Sequence, residues 1–296
     1  MITVFGSTNL DQVGTVSRLP KPGETVAGGT FSMAAGGKGA NQALAARRAG
    51  AQVRHISAVG QDAFAGLALE LLKADGVDLS ALKTVDQPTG IAMIFVDGAG
   101  ENCIAVLPGA NGTMTPEDAE KALAGAGGGV LLLQQEIPQA ATERALDLAK
   151  ARGMISILNT APFLPDTPAI AGKAAILIAN ETEFELLTGR PIAELDQAML
   201  DWAKAHGQTV IVTLGEDGAK AAVGERLIAV PALKVKPVDT VGAGDTFCGY
   251  LAAGLDGGLE LEAAMQRAAV AASLACLKPG AQPAIPWADE VAGARV

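Results

Sequence analysis

Histidine and cysteine are scarce in this chain, and their scarcity argues against several kinds of active site. The 296 residues contain two histidines, His55 and His206, and three cysteines, Cys103, Cys248 and Cys276, with no C-x-x-C spacing. Zinc sites, disulfide frameworks and Ser-His-Asp triads need these residues in suitable sets or spacings. We therefore expect none of the three.

Basic clusters and long apolar runs are also missing. Lys and Arg number 22 against 32 Asp and Glu, which gives a net charge of −10 at pH 7. Nucleic acids and anionic membranes are not expected as partners, because both are recognised by clustered basic side chains. No apolar run approaches the roughly 20 residues that a membrane helix needs. The first residues read as a strand without a basic leader region, so we expect a cytoplasmic protein.

The composition that remains is globular, with 49% hydrophobic and 18% charged residues. From residue 52 onward, apolar segments alternate with helical ones, which is typical of a parallel sheet covered on both faces. The predicted strands are 53–59, 130–133, 155–158, 174–178 and 209–214, and the predicted helices are 62–75, 138–152, 181–187, 195–205 and 260–277. No repeat or linker divides the chain, so we predict one α/β domain over residues 1–296.

A second pattern precedes and interrupts this alternation. Residues 10–16, 25–34, 90–96 and 102–107 have a half-buried character, clearest in the period-two alternation of 10–16. We infer a small accessory sheet, formed from about 9–35 and 89–108, that covers a site. Its exposed apolar face favours a homodimer that buries it.

Polar residues follow four successive predicted strands. They are Gln134-Gln135-Glu136, Asn159-Thr160, Asn180-Glu181-Thr182-Glu183 and Thr213-Leu214-Gly215. Ligands of open α/β sheets bind beyond the carboxyl ends of the strands. The four positions therefore predict a single polar crevice along one edge of the sheet.

The segment Val238 to Phe247 reads as a glycine-rich turn that enters a helix. Gly242, Ala243 and Gly244 leave the first amides of that helix free to bind an anion, and Asp245 follows them directly. The alternative is a helix that Asp245 merely caps.

A second glycine-led helix start lies at Gly36-Gly37-Lys38-Gly39-Ala40-Asn41. It is not a P-loop, because Ser32 and Gly39 stand where a glycine and a Ser or Thr are required. Asn41 could bind hydroxyl groups with both its donor and its acceptor, or could be a solvated helix residue.

Phosphoryl transfer suits this set of groups. It needs a base for the acceptor hydroxyl, an anion pocket and a Mg²⁺ ion. Asp245 would take the proton, the amides of Gly242 to Gly244 would hold developing charge, and Glu183 would help to order Mg²⁺, usually through water.

Five segments resemble, in the right order, the signatures of the ribokinase-like carbohydrate kinase family. They are Asn9-Leu10-Asp11, residues 36–41, Asn180 to Glu183, residues 239–247 and Gly280-Ala281-Gln282-Pro283. The resemblance extends from about residue 2 to residue 287. It implies a three-layer α/β/α fold with a mostly parallel sheet and a small β-sheet lid, with ATP as the phosphoryl donor and a sugar hydroxymethyl group as the acceptor.

The resemblance also implies roles for individual residues. Asp245 is the expected catalytic base, and it also contacts the sugar. The other implied sugar contacts are Asn9, Asp11, Gly37, Lys38, Asn41 and Glu136. The implied nucleotide contacts are Asn180, Thr213, Gly215, Gly218 and Gly244. A monovalent cation, K⁺, would lie at the loop of Asp239, Val241, Lys278, Gly280 and Ala284.

Three places depart from the family pattern. Asn159-Thr160-Ala161 stands where Asn-Pro-Ala is frequent. Ala284 stands where a serine is common near the cation, and Ala269 where an adenine-facing Asn or His is frequent. The expected reaction is phosphorylation of the 5-hydroxyl of D-ribose by ATP. The alternatives are a kinase for deoxyribose, a ketohexose or a nucleoside, and a sugar-binding homologue that has lost phosphoryl transfer.

Overall fold

The computed structural model describes residues 1–294; residues 295 and 296, the end of the predicted domain, lie outside the described residues. The strands are β1 (Ile2–Phe5), β2 (Asn9–Val16), β3 (Gly28–Gly36), β4 (Val53–Ile56), β5 (Ala58–Gly60), β6 (Lys83–Val85), β7 (Gly90–Val96), β8 (Asn102–Leu107), β9 (Val130–Leu133), β10 (Ile155–Asn159), β11 (Ile176–Asn180), β12 (Thr209–Thr213), β13 (Ala219–Val223) and β14 (Arg226–Val230).

The helices lie mainly between the strands of the second half. They are α1 (Lys38–Arg48), α2 (Ala63–Ala68), α3 (Glu70–Ala74), α4 (Pro116–Ala122), α5 (Gln139–Ala151), α6 (Thr167–Ala171), α7 (Glu181–Thr188), α8 (Leu195–His206), α9 (Ala243–Asp256), α10 (Leu261–Ala275) and α11 (Ala288–Gly293). Short 3₁₀ helices span Gly109–Thr113, Ile192–Glu194, Gly215–Asp217 and Gln282–Ala284.

An eight-stranded sheet forms the middle layer, in the order β14-β13-β12-β11-β10-β9-β1-β4. The six strands from β12 to β4 are parallel, and β13 and β14 add an antiparallel edge. β1 and β9 are buried at every position because helices cover both faces. One apolar core contains residues of α1, α9 and α10, and the core on the opposite face contains residues of α4, α5 and α8. The predicted three-layer fold is confirmed.

The predicted accessory sheet is also confirmed, and we call it the lid. It has four strands in the order β3-β2-β7-β8. β2 is antiparallel to β3 but parallel to β7, and β7 is antiparallel to β8. The strand predicted over 25–34 lies at Gly28–Gly36. It therefore leads directly into the glycine-led start of α1.

Two local predictions were wrong, and one hairpin was missed. The single strand 53–59 is broken at Ser57: β4 stays in the main sheet while β5 pairs with β6 in a separate two-stranded sheet. The helix 62–75 is two helices with Leu69 between them. The hairpin of β13 and β14 was not predicted, because the alanines of β13 have weak strand propensity.

Within residues 1–294, no helix is long and apolar enough to cross a membrane.

Candidate active site

Asp245 lies in the first turn of α9, and two amide side chains of α1 bind it. Asn41 Nδ2 donates to Asp245 Oδ2 and Gln42 Nε2 donates to Asp245 Oδ1, both at 2.9 Å. Asp245 is buried, and no side-chain hydrogen bond caps α9. The alternative that Asp245 merely caps the helix is therefore wrong. The alternative that Asn41 is a solvated helix residue is also wrong, because Asn41 is buried. One carboxylate is held in a single orientation.

Gly242 is the residue that allows the loop to enter α9 at this angle. Its φ is +77°, and a Cβ there would come within 2.9 Å of Ala281 Cβ. Both the backbone conformation and the close approach therefore require glycine. The amide of Ala243 donates to Thr240 O at 3.3 Å, so that donor already has a partner within the loop. Gly244 faces open space, since a Cβ there would meet nothing within 4 Å.

The predicted sugar residues come together between the lid and the start of α1. Gly37 has φ +87°, and a Cβ there would approach Asn9 N to 2.7 Å. This close packing brings the start of α1 against the beginning of β2. Glu136 Oε2 accepts the Lys38 amide at 2.9 Å and the Ser7 hydroxyl. Glu136 therefore orders the start of α1. Its position after a predicted strand did not predict this contact.

The charges of this cluster act strongly on one another. Burial, followed by the charges of Glu136 and Asp245, raises the pKa of Asp11 to about 7, against the lowering effect of Lys38. Asp245, and to a lesser extent Glu136 and Glu183, raise the pKa of the Lys38 ammonium against the effect of burial. The cleft thus combines several carboxylates with one lysine, which suits a neutral ligand rich in hydroxyl groups.

The polar ends of β9 to β12 lie along one edge of the sheet, as predicted. They do not all face the cleft. Gln135 Nε2 donates to Thr160 O and Thr167 Oγ1, both at 2.8 Å, so Gln135 holds two loops together. Gln134 instead donates to Gln42 Oε1 at 2.7 Å, and Gln42 Nε2 also reaches Asn159 Oδ1 at 3.2 Å.

Gln42 is a site residue that sequence reasoning missed. It is fully buried and joins Asp245 to the ends of β9 and β10. Its only signal in the sequence was its position next to Asn41. An interior glutamine in an alanine-rich helix is a costly residue unless its amide is satisfied, and that cost could have marked it.

Asn180 and Glu183 form a reciprocal cap at the start of α7. Asn180 Oδ1 accepts Glu183 N at 2.8 Å, and Glu183 Oε2 accepts Asn180 N at 3.2 Å. Glu183 Oε2 also accepts the Thr160 hydroxyl at 2.8 Å. Since both bonds to the Glu183 carboxylate use Oε2, they leave Oε1 for other ligands. The Asn-x-x-Glu pattern is therefore both a capping box and a carboxylate placed at the sheet edge.

A cavity of about 240 Å³ adjoins the start of α9. Its lining includes four of the predicted nucleotide residues, Thr213, Gly215, Gly218 and Gly244, and also Ala269. Asn180 is not part of the lining. The remaining wall was missed: it comprises Ala232 to Val235 and Ser273 among others, which carry no local motif and meet only through the fold.

Asp239 ties the loop before α9 to the loop after α10. Its carboxylate accepts Val241 N at 3.0 Å and Gly280 N at 2.8 Å. Ala284, which follows Gly280 closely in the chain, is fully buried. The Lys278 ammonium instead turns outward and forms an ion pair with Glu290 at 3.0 Å. Of the predicted cation residues, Asp239, Val241 and Gly280 are thus brought together, and Lys278 has only its backbone to offer.

Comparison with known proteins agrees with the fold and the site. Residues 1–288 match the family described as pfkB family carbohydrate kinase. The chain therefore belongs to this family, whose members are phosphotransferases that act on a hydroxyl group.

Individual relatives are similar over nearly their whole length. The chain is 39% identical to a ribokinase of Staphylococcus aureus, over 98% of both chains. It is 34% identical to a deoxyribokinase of Salmonella typhi, over 98% of this chain and 96% of the relative. The structure of Arabidopsis thaliana ribokinase complexed with ribose and ATP superposes with a TM-score of 0.90 at 33% identity, over 98% of this chain and 97% of the other.

Proposed function

We propose that the protein is an ATP-dependent kinase that phosphorylates the 5-hydroxyl of D-ribose to give ribose 5-phosphate. The position of Asp245 carries this proposal. Asn41, on the predicted sugar side, donates to the Asp245 carboxylate. Gly244, the residue before Asp245, lines the predicted nucleotide cavity. A base between two such compartments is what direct transfer between two bound substrates requires. Relatives named ribokinase support the choice of sugar.

In the proposed reaction, the ribose 5-oxygen attacks the γ-phosphorus of ATP. The bond from the γ-phosphorus to the bridging oxygen breaks, ADP leaves, and the hydroxyl proton passes to Asp245. Asn9, Asp11, Gly37, Lys38, Asn41 and Glu136 bind or order the sugar. The loop from Gly242 to Gly244 supports the charge on the transferred group, with Gly244 nearest the open cavity.

Mg²⁺ is proposed as the metal of this reaction. No group of three or more His, Cys, Asp or Glu side chains that could hold a metal is found in residues 1–294. The carboxylate of Glu183 at the sheet edge still fits the usual arrangement, in which one carboxylate acts through water and the nucleotide phosphates complete the coordination. Mg²⁺ would neutralise phosphate charge there.

A monovalent cation, K⁺, is proposed at the loop that Asp239 organises. The bonds of Asp239 to Val241 and Gly280 bring two backbone segments together, and backbone carbonyls suit such an ion. Ala284 offers only its backbone carbonyl. A bound cation would stabilise the loop that leads into Gly242.

We also propose a cytoplasmic homodimer in which residues 1–296 form one kinase unit. Strand alternation puts Phe31, Met33, Met93, Phe95 and Leu107 on the lid face opposite Asp11, and all of them are exposed. An apolar face of this size favours burial against a second copy.

Deoxyribose is the second candidate substrate, because deoxyribokinases are also among the relatives at 34% identity. A panel of ribose, deoxyribose, fructose and adenosine with Mg-ATP, with and without K⁺, separates the candidates. Turnover of none of these acceptors would contradict the proposed activity.

Asp245→Asn tests the assignment of the base. We expect kcat to fall about 100- to 10,000-fold, because an amide cannot accept the proton, while thermal unfolding changes little. Asp256→Asn is the matched control: Asp256 ends the same helix and binds the chain amino group at 2.8 Å. Near-normal turnover by Asp245→Asn would refute the role of Asp245.

A further inference from the structure

Asn111 lies outside the residues assigned so far, in the 3₁₀ helix that follows the lid strand β8. Its side chain is buried against the junction between β1 and β2. Thr8 N donates to Asn111 Oδ1 at 2.9 Å. Asn111 Nδ2 donates to Thr8 O at 3.1 Å and to Asn9 Oδ1 at 2.7 Å. One side chain therefore joins both backbone groups of Thr8 to the side chain of Asn9.

These bonds fix the orientation of two amides in succession. A backbone N–H only donates and a backbone C=O only accepts, so Thr8 determines which end of the Asn111 amide is the oxygen. Asn111 Nδ2 must then face Asn9, and only the oxygen of Asn9 can accept it. The nitrogen of Asn9 is left without a partner among residues 1–294, and it is not one of the fully buried orphan atoms.

A glycine of the neighbouring lid strand leaves room for this pair of amides. Gly90, the first residue of β7, is the register partner of Asn9. A Cβ on Gly90 would overlap both Asn111 Nδ2 and Asn9 Oδ1. Glycine at this position is thus a condition for the contact between the two asparagines, and not only a feature of the strand.

We propose that Asn111 is a positioning residue for sugar recognition, which turns the N–H of Asn9 toward the ligand. Asn9 then donates to a sugar oxygen, while Asp11, two residues along on the same face of β2, accepts from a hydroxyl group. The lid presents one donor and one acceptor side by side, which selects a sugar with hydroxyl groups at both points. This inference rests on the proposed sugar kinase activity and adds a determinant of its specificity.

Asn111→Asp reverses the orientation of Asn9, because a carboxylate only accepts, and it also removes the bond to Thr8 O. The nitrogen of Asn9 would turn toward the new carboxylate and its oxygen toward the sugar. We expect the KM for ribose to rise about 5- to 150-fold, the range for one unmatched polar contact, while the KM for ATP changes less than about twofold. An equal rise in both KM values would indicate general damage and overturn the proposal.

Gly90→Ala and Gly14→Ala form a matched pair in the same sheet. The first drives a methyl group between Asn9 and Asn111, whereas a Cβ at Gly14 meets only ring carbons of Phe95 at 3.5 Å and 3.6 Å. We expect Gly90→Ala to raise the ribose KM at least about fivefold and Gly14→Ala to leave it within about twofold of the wild type. Equal ribose KM values for the two variants would contradict the proposal.

Amide hydrogen exchange of the asparagine side chains, measured by NMR on the full chain, tests the orientation without turnover. Both residues are buried, so the comparison between them is decisive: in the free protein the side-chain NH₂ of Asn111 should exchange more slowly than that of Asn9, and ribose should slow Asn9. Exchange of the Asn9 NH₂ in the free protein as slow as that of Asn111 would overturn the proposal. If the wild type phosphorylates no sugar, the proposed function fails, and the free-state exchange pattern still decides the orientation.

Discussion

Asp11 is the residue whose chemistry the fold changes most. In the sequence it is one acid in an alternating strand. In the structure its carboxylate lies over Gly36, where any Cβ would overlap it, and Glu136 and Asp245 are near enough to raise its pKa beyond the effect of burial. A carboxyl group with a pKa of about 7 changes its charge at neutral pH, so binding and stability should both depend on pH.

We expect the free protein to lose stability between about pH 4 and pH 7. The pKa of Asp11 is about 7 in the folded protein, and its ordinary pKa is 3.8. The contribution of Asp11 to stability is therefore fully present below the ordinary pKa and disappears as pH rises through the folded pKa. Asp11→Asn does not titrate and should therefore stabilise the free protein at pH 8, by at most about 4 kcal/mol, while weakening sugar binding.

Urea unfolding of both proteins at pH 5 and pH 8 measures this effect. The exposed Asp289, changed to Asn, controls for removal of a carboxyl group. A stability difference between Asp11→Asn and the wild type that is the same at both pH values would show that Asp11 does not titrate in this range.

At the level of elements, the packing of α1 against α9 determines the geometry around Asp245. The helices approach closely at Gly249, where a Cβ would come within 2.5 Å of Ala45 Cβ and 2.6 Å of Gln42 O. This approach lets the short amides of Asn41 and Gln42 reach Asp245 across the interface. Small residues on both helices thus serve the site as well as the core.

Gly249→Ala should separate the two helices and disturb both stability and turnover. Overpacking costs about 1–3 kcal/mol, and displacement of Gln42 should lower kcat by loosening Asp245. Gly66→Ala is the matched control, because it lies in α2 with open space around it and should stabilise the protein by up to about 1 kcal/mol. Denaturant unfolding and kcat of both variants measure the two effects. A Gly249→Ala variant with the unfolding free energy of the wild type would contradict the packing argument.

At the scale of the whole molecule, the lid is a sheet with an exposed apolar face. One face carries Asn9 and Asp11, and the other exposes Phe31, Met33, Met93, Phe95 and Leu107. A solvated apolar sheet face is a liability in a monomer and the core of an interface in a dimer. The proposed dimer would therefore also hold the sugar-binding strand in place.

Phe31→Glu should convert the dimer into a monomer, because it would bury a charge at the centre of the interface. Sedimentation velocity at micromolar concentration reports the change. Leu186→Glu, at an exposed apolar residue of α7 away from the lid, should leave the association state unchanged. A monomeric wild type would refute the proposed interface.

The sequence by itself determined the local parts of this protein. Unbroken apolar strands between helices indicated a parallel sheet, and this is what the structure contains. The two glycine-led segments marked the helix starts at Gly37 and Gly242, because only glycine adopts their positive φ without strain. Residues next to those signals, such as Asn41 and Asp245, could therefore be selected in advance.

Only the tertiary structure decided the contacts that join distant segments. Gln42 meets Asp245 across 203 positions, and Asn111 meets Asn9 across 102. Neither glutamine nor asparagine carries a local pattern for such a partner. Hydrogen-bond satisfaction of a buried amide depends on which elements pack together, and that packing is set by the sheet order and the helix layers rather than by neighbours in the chain.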